Sequence, residues 1–261
     1  MDELEVIKGH YLSASEGQRL EDGVGRLEFL RTQEILRRHL GPAPARILDI
    51  GGATGVHAEW LAHDGYEVHI VDLVEHHVEQ ARDKLARSGV RATVGDARNL
   101  AVKDREYDAV LLLGPLYHLT LRDDRLLALA EARRVAKPGG LVCVAAINRF
   151  ASLFDGLARG FLFEPGFKDI VEQDIATGQH RNPGDHPHWF TTAFFHHPAE
   201  LRDEIHGAGL KLIDLVGLEG LAGWLSDLPS DTEEVLYAAR AVESEESLLG
   251  LSAHILAVAR S

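Results

Sequence analysis

A chain of 261 residues with 45% hydrophobic and 26% charged side chains can bury a sizeable core, so one large domain, or one with an insertion, is expected. A formal net charge of -14 and a pI near 5.5 exclude a broad phosphate-binding surface, because nucleic-acid binders draw most of their affinity from clustered Lys and Arg. The expected partner is a small or neutral molecule, with no nucleic acid.

The acidic start MDELEVIKGHYL has no apolar leader core, and no run of eighteen apolar residues occurs. No membrane span and a cytoplasmic location are expected. Residues 1–44 read as an N-terminal helical segment with a helix near 26–40. From 45 to 147, short β-branched or apolar runs alternate with helical patterns, the signature of a parallel sheet with crossover helices. Strands are expected at 46–50, 67–72, 92–94, 109–113 and 141–146. Between the second and third strands, Val74, Val78, Ala81 and Leu85 recur on one face of a 3.6-residue period, and Glu75, His76, Glu79, Arg82 and Asp83 form the solvated face. The stretch RVAKPGGLVCVAAIN supplies a helix end, a Pro-Gly-Gly turn and a buried strand, in which Cys143, the single cysteine, reads as an inert thiol.

After Asn148 the pattern breaks, and residues 149–198, rich in Phe, Gly, His and Pro, read as an insertion. An amphipathic helix in PAELRDEIHGAGL, a strand in KLIDLVGL, a helix near 231–244 and a closing strand in AHILAVAR follow, so the sheet is expected to end as a hairpin. The expected fold is α/β: a Rossmann-like, doubly wound, mostly parallel sheet with a reversed last strand, N-terminal helices and a lid inserted after strand five, all within a single domain, 1–261.

Where the first strand meets its helix, the sequence ILDIGGATG spends Gly51, Gly52 and Gly55 on a turn whose positive φ angles and missing side chains let a ligand approach the backbone. A dinucleotide site requires G-x-G-x-x-G, and here Ala53 and Val56 stand at the second and third glycines. Asp72, seventeen residues beyond Gly55, is placed at a solvent-facing strand end to accept hydrogen bonds from two ribose hydroxyls. Asp96, in VGDARNL after the third strand, is placed to reach an adenine amino group.

In this order and spacing, ILDIGGATG, Asp72, GDA and RVAKPGGLV resemble a class I S-adenosylmethionine-dependent methyltransferase over residues 45–147 and the closing hairpin. The resemblance implies S-adenosylmethionine as cofactor and S-adenosylhomocysteine as product. It places Asp49, Gly51, Gly52 and Gly55 at the methionine part, Asp72 with Leu73 at the ribose, Asp96 with Ala97 at the adenine, and Leu113 beside them at the end of strand four. It further matches Tyr11 to an aromatic residue that closes over the cofactor and Arg26 to a cation that meets its carboxylate.

The loop after strand four, GPLYHLTLRDD, opens onto the ligand crevice of a doubly wound sheet. Superfamily members that methylate exocyclic amines resemble one another here in carrying Asn or Asp, Pro, Pro and an aromatic residue; Gly114 offers no side-chain oxygen to such an amine. With the acidic charge, this points to a small-molecule acceptor methylated at O, N or C. His118 is the first candidate for a catalytic base, against a role bracing the loop, and Tyr117 either orients the acceptor or packs. In the insertion, His180 is a second catalytic candidate and Arg181, Trp189 and Phe190 are lid residues that contact the acceptor, the alternative being a second small core. The five histidines from His180 to His197 match no helical pair or finger spacing, so no metal is expected. Two rivals are a noncatalytic sensor of the cofactor or its product and a nicotinamide oxidoreductase, the latter disfavoured by the missing third glycine and by Asp96.

Overall fold

The β-branched and leucine-rich strand β1 (Arg46–Ile50) is flanked on both edges, by β2 (Glu67–Asp72) and β4 (Tyr107–Leu112), each parallel to it, and its last four residues are buried. The computed structural model describes residues 9, 20, 23–184, 186–225, 229 and 231–261. The remaining β-strands of the main sheet are β3 (Arg91–Val94), β5 (Ala136–Ile147), β8 (Lys211–Gly217) and β9 (His254–Arg260), in the order β3-β2-β1-β4-β5-β9-β8. Asn148 pairs with Ala253 at one end of β5 while Gly139 and Gly140 pair with Ser261 at the other, so β9 runs against β5, as the closing hairpin requires. Because β1 leads to β2 on one side and has β4 on the other, the carboxyl ends of β1 and β4 form the switch point at which such sheets bind ligands.

The chain divides into two compact units. One comprises residues 33–145, 202–214 and 257–261. Here α2 (Val56–His63) follows β1, α3 (Glu75–Lys84) follows β2, and α5 (Arg122–Val135) leads into β5. In α3 the apolar face is buried through Val78 and Ala81, with Leu85 at its end, and the charged face is exposed, as the period predicts. One expectation is corrected. Strand β5 begins at Ala136, directly after α5, so Pro138, Gly139 and Gly140 lie within a bulged strand and not in a separate turn. Tyr107 pairs with Ala136 and Ala109 with Leu141, and Gly139 takes up the extra length at φ +73°.

The other unit comprises residues 1–32, 146–201 and 215–256, and so contains all of the segment 149–198. That segment carries α6 (Ala151–Arg159), α7 (Phe167–Thr177) and a two-stranded hairpin of β6 (Gln179–His180) and β7 (Ala193–Phe194). Phe161, Phe167 and Val171 pack with Leu153, Leu162 and Trp189 into a core, the second small core that its aromatics allowed. Gly156 is required there, since a Cβ would stand 2.4 Å from the Phe167 ring. Helix α8 (Pro198–Gly207) follows β7, and α9 (Glu233–Val242) precedes β9; helix α1 (Gly23–His39) precedes β1.

Candidate active site

The glycine turn is shaped first by the protein itself. Gly51, Ala53 and Gly55 have φ of +71°, +45° and +84°, and Ala53 bears the strain of a left-handed position that a glycine avoids. A Cβ would stand 2.4 Å from Pro115 Cγ at Gly51, 2.6 Å from Asp49 Oδ2 at Gly52 and 2.5 Å from Leu85 Cδ1 at Gly55. All three glycines are thus demanded by close approach within the chain, and the turn they permit leaves the backbone open to a ligand.

Asp49 lies in the buried run of β1, paired across the sheet with Ile70 and Leu111, and is 1% exposed. Its Oδ2 has no hydrogen-bond partner, and burial, assisted by the nearby Asp72 carboxylate, pushes its pKa up to about 7. An orphaned buried carboxylate oxygen beside Gly52, which brings no side chain against it, suits a cation small enough to lie there. The α-ammonium of a methionine-derived cofactor is such a group.

Asp72 is not the solvent-facing strand end that its position in the sequence suggests; it is 6% exposed. Its Oδ2 accepts the Ala53 N–H at 2.9 Å and its Oδ1 accepts the Val74 N–H at 2.9 Å, with His77 Nδ1 at 3.4 Å. The carboxylate therefore ties the glycine turn to the end of β2, and Oδ2, with the Ala53 N–H on it, has a further lone pair to offer a ribose hydroxyl. Leu73 beside it is half-buried. Asp96 is engaged more than its sequence position reveals: Arg98 donates Nε to Oδ1 at 3.0 Å and a terminal nitrogen to Oδ2 at 2.7 Å, then reaches Asp124 at 2.9 Å. The Arg98 hydrogen bonds hold the Asp96 carboxyl below the usual carboxylate range despite partial burial. Ala97 is buried and Leu113 half-buried.

The loop after β4 forms a single turn, α4 (Pro115–His118), with Pro115 at its first position seated against Gly51 and Leu116 fully buried. Tyr117 and His118 are half-buried and meet edge to face at 4.7 Å between ring centroids. A Cβ on Gly114 would lie 3.6 Å from the Tyr117 hydroxyl, so the absence of a side chain there is a vacancy in chemistry and not a demand of packing.

The insertion's residues are placed differently from the lid expectation. His180 is 1% exposed, with Nδ1 2.7 Å from Asp174 Oδ2, Nε2 3.3 Å from the Phe190 carbonyl, and its ring stacked on Phe195. Both ring nitrogens are thus committed within the hairpin and α7, which suits a strut better than a proton carrier. Arg181 donates to the His180 carbonyl at 2.9 Å, Trp189 packs on Phe167 and His186, and Phe190 lies beside His180 and Phe195. Arg26 lies over the Phe29 ring at 5.6 Å on α1, and Tyr11 lies outside the described residues. Among the described residues, metal-type donors converge away from the histidine-rich segment, at Glu28, Glu219 and His254. There Glu219, fully buried, accepts from Ser252 and the His254 backbone N–H and lies 2.5 Å from His254 Nδ1, so that its oxygens already have partners within the chain.

A family described as a methyltransferase domain matches residues 47–140, which span the glycine turn, both acids and the loop after β4. The ubiquinone biosynthesis O-methyltransferase of Azorhizobium caulinodans is 30% identical over 205 residues, 74% of this chain and 72% of that protein. The malonyl-[acyl-carrier protein] O-methyltransferase of Geobacter sulfurreducens is 41% identical over 109 residues, but the match covers only 40% of this chain and 39% of that protein. A solved S-adenosylmethionine-dependent methyltransferase from Methanosarcina mazei shares the fold with a TM-score of 0.62 at 17% identity, over 87% of this chain and 96% of that one. The chain belongs to the class I S-adenosylmethionine-dependent methyltransferases. It is an enzyme whose cofactor is S-adenosylmethionine.

Proposed function

We propose that the methyl group goes to a hydroxyl oxygen of a small organic molecule, a phenol or an enol, with His118 taking the hydroxyl proton. The observation that carries this is the turn Pro115–His118, seated on Gly51 with Tyr117 and His118 side by side. Bound S-adenosylmethionine supplies an electrophilic methyl on a sulfonium, open to in-line displacement. The chain's part is then to hold the two reactants in line and to accept one proton. Asp49 meets the ammonium and Asp72 the ribose, while the turn fixes His118 where the proton must leave. A histidine of ordinary pKa about 6.5 matches a phenol of about 10 far better than an aliphatic alcohol, which holds its proton nearly as tightly as water does. Gly114 supports oxygen over an exocyclic amine, since no side-chain oxygen stands there to accept amine hydrogens.

Support for oxygen as the methylated atom also comes from the O-methyltransferase relatives. Recognition of the acceptor falls in this reading to Tyr117, whose ring lies edge to face with His118. The test is transfer of a trideuterated methyl from S-adenosylmethionine to a panel of phenols, enols, amines and carbon acids, read by mass spectrometry. Labelled products confined to hydroxyl acceptors, and lost in His118→Gln, support the proposal. Labelling of amines or carbon, or full activity in His118→Gln, overturns it.

A further inference from the structure

Arg125 and Glu204 stand on apolar helix faces. In α5 the buried positions are Arg125, Ala128, Leu129, Ala132 and Val135, a helical stripe that begins with a guanidinium; in α8, Glu204 is buried between Leu201 and Ile205. A charge in such a place must find both a counter-charge and hydrogen-bond acceptors. Arg125 finds Glu204, with Nε at 3.1 and 3.0 Å from the two carboxylate oxygens and one terminal nitrogen at 2.7 Å. Its other terminal nitrogen donates to two consecutive carbonyls, Leu119 at 2.9 Å and Thr120 at 3.0 Å.

Those carbonyls end the turn Pro115–His118. One helical turn does not hold itself, because nucleating a helix costs more than its first hydrogen bonds return. Among the described residues the turn is held from outside by Pro115 against Gly51 at its start, by the buried Leu116 in its middle, and by the Arg125 fork at its end. Tyr117 and His118 lie between Leu116 and the fork.

We propose that Arg125 and Glu204 are positioning residues of the transfer reaction: the ion pair aims the guanidinium at the Leu119 and Thr120 carbonyls and so fixes Tyr117 and His118 for the acceptor. This rests on the reading of His118 as the base. It predicts a loss of turnover at unchanged cofactor affinity, because the fork touches the end of the turn remote from Gly51. Lysine cannot replace the arginine, since one ammonium does not supply a planar fork to the carboxylate and two further donations at once.

The test uses the full chain in three variants: Arg125→Lys, the double variant Arg125→Met with Glu204→Leu, and His118→Gln. The double variant removes both buried charges together and fills their space with apolar groups, a replacement that buried ion pairs commonly tolerate. Three quantities are read: affinity for S-adenosylhomocysteine, kcat and KM for methyl transfer to 3,4-dihydroxybenzoate, and the His118 ring resonance, assigned by its absence in His118→Gln. We expect both Arg125 variants to bind S-adenosylhomocysteine within about threefold of wild type, an affinity difference under about 0.7 kcal/mol. Their kcat should fall about 100-fold, the loss that a displacement near 1 Å entails, and the His118 resonance should shift or split. A double variant with wild-type kcat and an unmoved His118 resonance would overturn the proposal, and would leave Arg125 with a role in stability alone. Full activity in His118→Gln would instead remove the reading on which it rests. If wild type does not methylate 3,4-dihydroxybenzoate, the choice of acceptor is wrong, and the His118 resonance alone decides the clamp.

Discussion

Asp49→Asn separates the electrostatics of the cofactor site from its shape. Burial, with Asp72 as neighbour, holds the Asp49 carboxyl at about 7, against 3.8 in the unfolded chain. Between those values the folded protein keeps a proton that the unfolded chain has released, so stability falls as pH rises through the window and is level above it. The slope is about 1.4 kcal/mol per pH unit, and the whole loss about 4 kcal/mol. Asparagine does not titrate. The stability of wild type minus that of Asp49→Asn should therefore decline from pH about 4 to about 7. His69, which burial holds down to about 4, acts in the opposite sense, its stability contribution rising as pH climbs towards 6.5, but it is present in both proteins and cancels in the difference. Urea unfolding followed by circular dichroism, at a series of pH values without cofactor, measures this difference. S-adenosylhomocysteine should then stabilise wild type more above pH 7 than below pH 6, because its ammonium meets an ionised Asp49, and should stabilise Asp49→Asn with no such pH dependence. A difference that stays flat across the window would refute the reasoning.

In Gly52→Ala the new Cβ falls 2.6 Å from Asp49 Oδ2, and calorimetry should show S-adenosylhomocysteine binding weakened about 30-fold or more, about 2 kcal/mol; unchanged affinity would mean that the carboxylate gives way freely. For His118→Gln, kcat should drop 100-fold or more, within the roughly 10²–10⁴ typical of a lost acid or base, with cofactor affinity retained. His180→Ala strands the buried Asp174 carboxylate and should cost about 3–5 kcal/mol in urea unfolding without altering cofactor affinity in the folded fraction; an unshifted midpoint would deny the strut. Chelators should leave methyl transfer unchanged, because the Glu219 carboxylate already has Ser252 and His254 as partners; activity that vanished with chelation and returned with a divalent ion would assign those donors to a metal.

The parallel sheet and the family were legible because their signals are local: a glycine turn between a strand and a helix, and acids at the ends of successive strands. The charged and apolar faces of α3 and the reversed last strand were legible for the same reason. What escaped is set by side-chain partners, near or distant along the chain, that no strand or helix period announces. Asp72 reads as a solvent-facing strand end until the Ala53 N–H is seen to need it, and Asp96 reads as a lone acid until Arg98 is seen to hold it. His180 looks like a lid histidine because no local pattern announces that Asp174 and the Phe190 carbonyl enclose it. Arg125 and Glu204 did leave a trace, each being a charge on the apolar stripe of an amphipathic helix, and that trace predicts a buried ion pair wherever two such helices occur. The Pro-Gly-Gly of β5 misled for a further reason: a bulge and a turn call for the same residues.

The most direct test of the account is a crystal structure of the chain with S-adenosylhomocysteine bound. The account predicts the ammonium within hydrogen-bond distance of Asp49 Oδ2, the ribose hydroxyls on Asp72, and the sulfur facing the side of the turn where His118 stands. An ammonium bound elsewhere with Asp49 Oδ2 still unpartnered, or a sulfur turned away from His118, would contradict it.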